Sequence, residues 1–193
     1  QVGTERVNNA ELGVKSTLLD NRLQLNANLF WAQVHGYQAN VYDQVNRVQY
    51  LANAGSVRSR GFEFEATAVP LRGLTLNLNG SWNDVRYTEY RDAPCAPEVS
   101  LVNAAATCDL SGHQVVGASK YIANLNAQYK WQLAERIEPY VTASYAFRSR
   151  AVGTIDDSDY GQIPSYAIVN LSTGVRLDQG DGVLDLSLWV KNA

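Results

Sequence analysis

The sequence predicts an all-β chain, an antiparallel up-and-down transmembrane β-barrel segment of about eight strands, and three observations predict it. Apolar residues recur at every second position in long runs, the period of a strand with two unlike faces. The faces opposite the apolar ones carry Asn, Gln, Ser and Thr in place of the Lys and Glu of a water-facing sheet; only 18% of the chain is charged, although 46% is hydrophobic. The connections between runs are alternately short and long. That places short turns at one end of the sheet and long loops at the other, as in outer-membrane barrels.

The first strand covers 9–19, with Ala10, Leu12 and Val14 opposed by Glu11, Gly13 and Lys15, and stops at the turn pair Asp20-Asn21. The second is the clearest: Leu23, Leu25, Ala27, Leu29 and Trp31 face one way and Gln24, Asn26 and Asn28 the other, with Phe30 interrupting the polar face. It weakens toward Tyr42, turns around 43–46 and returns through Val48, Tyr50 and Ala52. Residues 53–59 have the wrong parity to join Tyr50 to Phe62, so a bulge is expected near Gly55.

Residues 60–82 form the best-defined hairpin. Phe62, Phe64, Ala66 and Ala68 oppose Glu63, Glu65 and Thr67; after the turn Pro70-Leu71-Arg72-Gly73, Leu74, Leu76, Leu78, Gly80 and Trp82 oppose Thr75, Asn77, Asn79 and Ser81. So short a turn makes the two strands antiparallel neighbours. A polar insertion follows over 90–119, and loops of that length are usually functional. Alternation returns with Ala123, Leu125, Ala127, Tyr129 and Trp131, then with Ile137, Pro139, Val141, Ala143, Tyr145 and Phe147. A second polar loop at 151–162 precedes Ala167, Val169, Leu171, Thr173, Val175 and Leu177, and a Gly-rich turn leads to Leu184, Leu186, Leu188 and Val190.

Two media compete for the apolar face, a protein core or lipid. The runs 23–31, 74–82 and 137–145 each extend about 26 Å, or about 20 Å of depth at barrel tilt. Trp31, Trp82 and Tyr145, with Phe147, then form one interfacial girdle, and Tyr129 with Trp131 the other. The uncharged amides opposite decide for lipid. A net charge of −3 gives no basic field, so no nucleic-acid partner is expected. No run reaches the roughly 18 apolar residues of a membrane helix. The chain opens at Gln1 with no leader pattern and reaches Ala193 inside a strand end, so 1–193 is expected to be one partial barrel domain of a longer protein.

Cys95 and Cys108 share one irregular stretch and are expected to form a disulfide. No CxxC or His cluster accompanies them, and no metal or cofactor is expected. His113 near Asp109 and Ser111 lacks the context of a catalytic constellation, and no enzyme is expected. The acidic run 156–159 lacks the spaced ligands of a calcium loop and reads as solvated.

Residues 10–16 (AELGVKS), 60–65 (RGFEFE) and 186–192 (LSLWVKN) resemble strand motifs in the C-terminal half of TonB-dependent outer-membrane receptors, and 108–112 (CDLSG) resembles a loop motif of iron-complex members. The resemblance runs through nearly the whole chain in the family's order. It implies a 22-stranded barrel around an N-terminal plug, a size known for plugged transporters. These eight strands would then be the last but one and the seven before it, with the plug and the closing strand outside the chain. It also implies active uptake of a ferric siderophore or similar iron complex across the outer membrane of a Gram-negative bacterium, driven by a TonB-type energy-coupling protein. A carbohydrate or cobalamin receptor of the same family, or a passive porin-like barrel, is the alternative.

By the same resemblance Glu11 and Glu63, with Glu65, are expected to hold plug arginines; hydrated carboxylates, or pairs with Lys15, Lys130 or Arg176, are the other reading. Arg58, Arg60, Arg148 and Arg150 lie toward the long-loop end. They are expected either to attract an anionic ferric chelate at the ligand mouth, beside Tyr37, or to meet lipopolysaccharide or water.

Overall fold

The computed structural model describes residues 2–43, 48–100, 102 and 107–193. Its main body is one antiparallel sheet of eight strands: β1 (Arg6–Leu18), β2 (Leu23–His35), β5 (Ser56–Leu71), β6 (Leu74–Glu89), β7 (Tyr121–Lys130), β8 (Ile137–Arg148), β11 (Tyr166–Asp178) and β12 (Val183–Lys191). Each pairs with the next in that order, and β1 and β12 are the two open edges. Two small pieces stand apart from this wall, the hairpin of β3 (Gln38–Asp43) with β4 (Val48–Asn53) and the pair β9 (Ala151–Val152) with β10 (Gln162–Ile163). The turn expected at 43–46 lies outside the described residues beyond Asp43. One helical turn, α1 (Pro97–Ser100), sits in the long insertion.

The short connections are built from residues that accept left-handed backbone. Leu19, Asp20 and Asn21 all have positive φ, and Arg22 closes the turn through its N–H to the Leu19 carbonyl at 3.0 Å. The expected four-residue turn at 70–73 tightens to Arg72 and Gly73, because Leu71 already pairs with Leu74. A bulge between Ala68 and Leu71 absorbs Pro70, which has no N–H to give the ladder. At the other end, Gly55 adopts φ 75 where β4 stops, and a register shift between Ser56 and Val57 follows, which locates the parity break that the sequence shows there.

Cross-strand partners keep the two faces consistent. Leu29, Phe62 and Trp82 are in register on one face, and Asn28, Glu63 and Ser81 on the other. The apolar face is open: Leu12 is 73% exposed and Leu188 77%. A single-layer wall with such a face belongs in lipid. Trp31, Trp82 and Tyr145 are on this outward face toward the long-loop end, and Tyr129 stacks on Trp131 at 5.4 Å toward the short-turn end.

The packed core lies in the loops. Ala54, Val57, Tyr87, Tyr90, Ala93, Leu110 and Val115 are buried together, with Val34, Tyr37 and Ile155 against them. Val34, Val57 and Tyr87 are on the inward parity of their strands, so the long loops fold over the inner side of the wall's outer end.

Candidate functional site

Parity fixes the inner surface. Gly13, Asn28, Glu63, Ser81 and Ile122 form one cross-strand row, and Lys15, Asn26, Glu65, Asn79 and Asn124 form the next. Glu11 lies in the row above, opposite Phe30. A cavity of about 880 Å³ opens on this face, lined by Glu11, Lys15, Glu63 and Glu65 among the amides.

Glu63 and Glu65 are two residues apart on one face, about 6.8 Å between their Cα atoms. Among the described residues Glu11, Glu63 and Glu65 have no ion pair; Glu65 only accepts a long hydrogen bond from the Asn26 amide at 3.4 Å. The in-barrel partner Arg176 is engaged elsewhere, 3.2 Å from Asp185 and 3.9 Å from Glu138, with its guanidinium over the Tyr140 ring. The patch is thus acidic and open, with three carboxylates against Lys15.

Gly61, between Arg60 and the Phe62–Glu65 stretch, has a steric reason. A Cβ there would collide with the Trp82 carbonyl and stand 2.8 Å from the Phe30 ring, so glycine lets Phe30 lie flat on the inner wall beside Glu11. That explains the aromatic residue that interrupts the polar face of β2. Gly174 does the same for Tyr140, whose hydroxyl donates to Asp185 at 2.9 Å.

The arginines expected at the ligand mouth separate. Arg148 is inward, in register with Tyr166 at the outer end, and exposed. Arg58 and Arg60 are on the parity of Phe62, so they point outward, away from the lumen, which is the side of the lipopolysaccharide alternative. They converge with Arg86 on Asp84: Arg60 at 3.3 Å, Arg86 at 2.7 Å and Arg58 at 3.9 Å. Arg150 follows β8, exposed, before β9.

Tyr37 is part of the loop core, edge-on to Tyr87 at 6.3 Å. Tyr87 and Tyr90 are buried beside it, so these two tyrosines fill the cap. Burial, with Tyr50 near, pushes the Tyr90 phenol up to about 12, and among the described residues its hydroxyl has no hydrogen-bond partner.

The cap is tied together at three places. Cys95 and Cys108 are disulfide-bonded, and Ala93 and Cys108 exchange backbone hydrogen bonds at 2.9 and 3.0 Å. Glu98 reaches the neighbouring loop, accepting from the Asp159 N–H at 2.7 Å and the Ser158 hydroxyl at 3.0 Å. His113 Nδ1 is 2.6 Å from Asp157. Asp109 instead accepts from the Ser111 N–H, so His113, Asp109 and Ser111 form no relay.

An open, lipid-facing sheet with a carboxylate-bearing inner face and a roof of long loops defines the wall of a transmembrane β-barrel. The chain belongs to the TonB dependent receptor-like, beta-barrel family, whose model matches residues 2–193. Receptors of this family are outer-membrane transporters and not enzymes.

Several solved structures share the fold, three of them as follows. The ferric yersiniabactin uptake receptor FyuA from Yersinia pestis aligns over 97% of this chain at TM-score 0.71 and 18% identity. The siderophore receptor PiuA from Acinetobacter baumannii aligns over 96% at 0.68 and 20%. BauA, the ferric preacinetobactin receptor of the same species, aligns over 96% at 0.66 and 15%. The chain spans about a quarter of the length of each, covering 24%, 24% and 25% of them.

Proposed function

We propose that the chain is part of the barrel wall of an outer-membrane active transporter that takes up a ferric siderophore or similar iron complex. The observation that carries this reading is the acidic patch of Glu11, Glu63 and Glu65 on the inner wall, which no cation of the described wall residues pairs. Carboxylates closed off from water by another body are stable only when matched by cations and hydrogen bonds. The matching partner is an N-terminal plug of the same protein, presenting arginines to Glu63, Glu65 and Glu11. Energy would reach the plug through a TonB-type coupling protein. Arg148 at the outer rim suits an anionic chelate, since a planar guanidinium meets carboxylate, hydroxamate or catecholate oxygens well. The ferric siderophore receptors that share the fold support iron as the cargo.

The test uses the full-length protein carrying Glu11→Gln with Glu63→Gln in a deletion strain. Loosened plug docking admits large antibiotics severalfold faster, and unchanged leakage refutes the docking role. Uptake of labelled ferric chelates, cobalamin and oligosaccharides by the unmodified receptor decides the cargo. Uptake that persists without the energy-coupling protein would point to a passive pore.

A further inference from the structure

Arg58, Arg60 and Arg86 surround Asp84 on the outward face, and three guanidinium groups against one carboxylate leave two positive charges uncompensated. Asp84 is only 8% exposed and acts as the hub, while the Arg60 and Arg86 side chains remain 51% and 44% exposed. The cluster's position is set by register. Arg60 is paired with Trp31 and Asp84, and the next outward rung below is Leu29, Phe62 and Trp82. One rung is about 6.8 Å of strand, so the cluster begins level with Trp31 and one rung above Phe62 and Trp82, on the long-loop side.

One rung lower, and displaced toward β1, lies a groove of about 430 Å³ on the same outward face, lined by Leu12, Val14, Ala27, Leu29 and Phe62. Ala27 is the smallest of these side chains and is flanked in its row by Val14 and Phe64. A cationic cluster over an apolar channel, at the height where lipid headgroups begin, matches one ligand shape: phosphate above, acyl chain below. Guanidinium is also the side chain best suited to paired phosphate oxygens.

We propose that Arg58, Arg60 and Arg86 around Asp84, together with the apolar groove beneath them, form an outward-facing site for a phosphorylated, acylated glycolipid of the outer leaflet, the chemistry of lipopolysaccharide. The site rests on the lipid-facing reading of the wall and is independent of which cargo the receptor carries. Its role is to seat the wall at a fixed depth beside one tightly held lipid.

The test is native mass spectrometry of the full-length receptor, titrated in detergent with hexa-acylated bisphosphoryl lipid A, with its dephosphorylated form and with inorganic phosphate. The phosphorylated lipid binds, and Arg58→Gln with Arg60→Gln weakens it about tenfold or more. Arg136→Gln, an exposed arginine at the short-turn end, leaves it unchanged. Equal binding by the double variant overturns the proposal, as does equal binding of the dephosphorylated lipid or displacement of lipid by phosphate at matched concentration. Should the double variant fail to assemble, Ala27→Phe carries the test, because it fills the groove and leaves the ion cluster intact. Weaker retention then supports the site, and unchanged retention overturns it.

Discussion

Replacing Cys95 and Cys108 with serine should open the loop cap and leave the wall alone. The cysteines are 13 residues apart, with their Cα atoms 5.0 Å from each other. Closing a loop of about 14 residues removes about 3 kcal/mol of chain entropy from the open state. The segment being tied is already buried at its base: Ala93 is 0% exposed and Cys95 5%, and Ala93 pairs with Cys108 through two backbone hydrogen bonds. The wall's own ladders, β5 with β6 and β6 with β7, use none of these groups. The loss is therefore local, and 3 kcal/mol becomes roughly a hundredfold rise in the opening equilibrium of the cap. Hydrogen exchange on the full-length receptor in detergent reads it directly. The amides of Ala93, Leu110 and Gly112, which bond to Cys108, Tyr90 and Tyr87 carbonyls, should lose protection by about that factor. Amides in the middle of β6 and β7 should keep theirs. Unchanged protection at Ala93 and Leu110 refutes the entropy argument, and a parallel loss in the wall refutes the separation of cap from wall.

Two further outcomes follow from local geometry. Gly61→Ala should cost about 1–3 kcal/mol through overpacking against Phe30 and the Trp82 carbonyl, whereas Gly13→Ala meets nothing closer than Asn28 Oδ1 at 3.4 Å and should be tolerated. Heat-modifiability of the folded barrel on gels ranks the two, and equal behaviour would count against the steric reading. The Glu98 carboxyl is held below its ordinary value of 4.5, first by its own backbone N–H and then by that of Asp159. A depressed folded value means the tie between the loops is at full strength above about pH 4.5 and is lost as pH falls through the lowered folded value. The Asp159 amide resonance, followed with selectively labelled aspartate, should move with a midpoint below 4.5, and Glu98→Gln should abolish the transition.

The wall was readable because one rule governs it. With period two, each strand's faces follow from a single anchored residue, and the hairpin at 60–82 anchored the rest. The same rule contained the signal that went unused for the arginines. Counting back from Phe62 in steps of two gives Arg60 and Arg58, and forward from Trp82 gives Asp84 and Arg86, so the outward cluster was present in the parity. The loop cap was not readable in this way. A tyrosine near a loop is equally at home in a mouth, a membrane belt or a small core, and only the packing of Ala93, Leu110 and Val115 against Val57 buries Tyr87 and Tyr90. The separation of β3 and β4 from the wall was also hidden, because it turns on the positive φ of Gly55 and the adjoining bulge.

Charge along the wall obeys parity more strictly than hydrophobicity does. On the outward face the positions from Leu74 to Trp82 in β6, Ala123 to Tyr129 in β7, Ile137 to Phe147 in β8 and Ala167 to Leu177 in β11 hold no charged residue. The inward face of these and adjoining strands holds Glu11, Lys15, Glu63, Glu65, Lys130, Glu138, Arg148, Arg176 and Asp185. A lipid-facing charge costs about 2–4 kcal/mol at the bilayer midplane and about 0–1 near the interface. The depth dependence explains why Arg58, Arg60 and Arg86 occupy outward positions only beyond Phe62 and Trp82, where the cost has faded and headgroup phosphates are within reach. It also bears on the inner carboxylates. Since the outward face excludes charge below the level of Phe62 and Trp82, the inner surface is where this part of the wall concentrates it, and the excess of Glu11, Glu63 and Glu65 over Lys15 in one cavity leaves a specific demand for cations from whatever the barrel encloses.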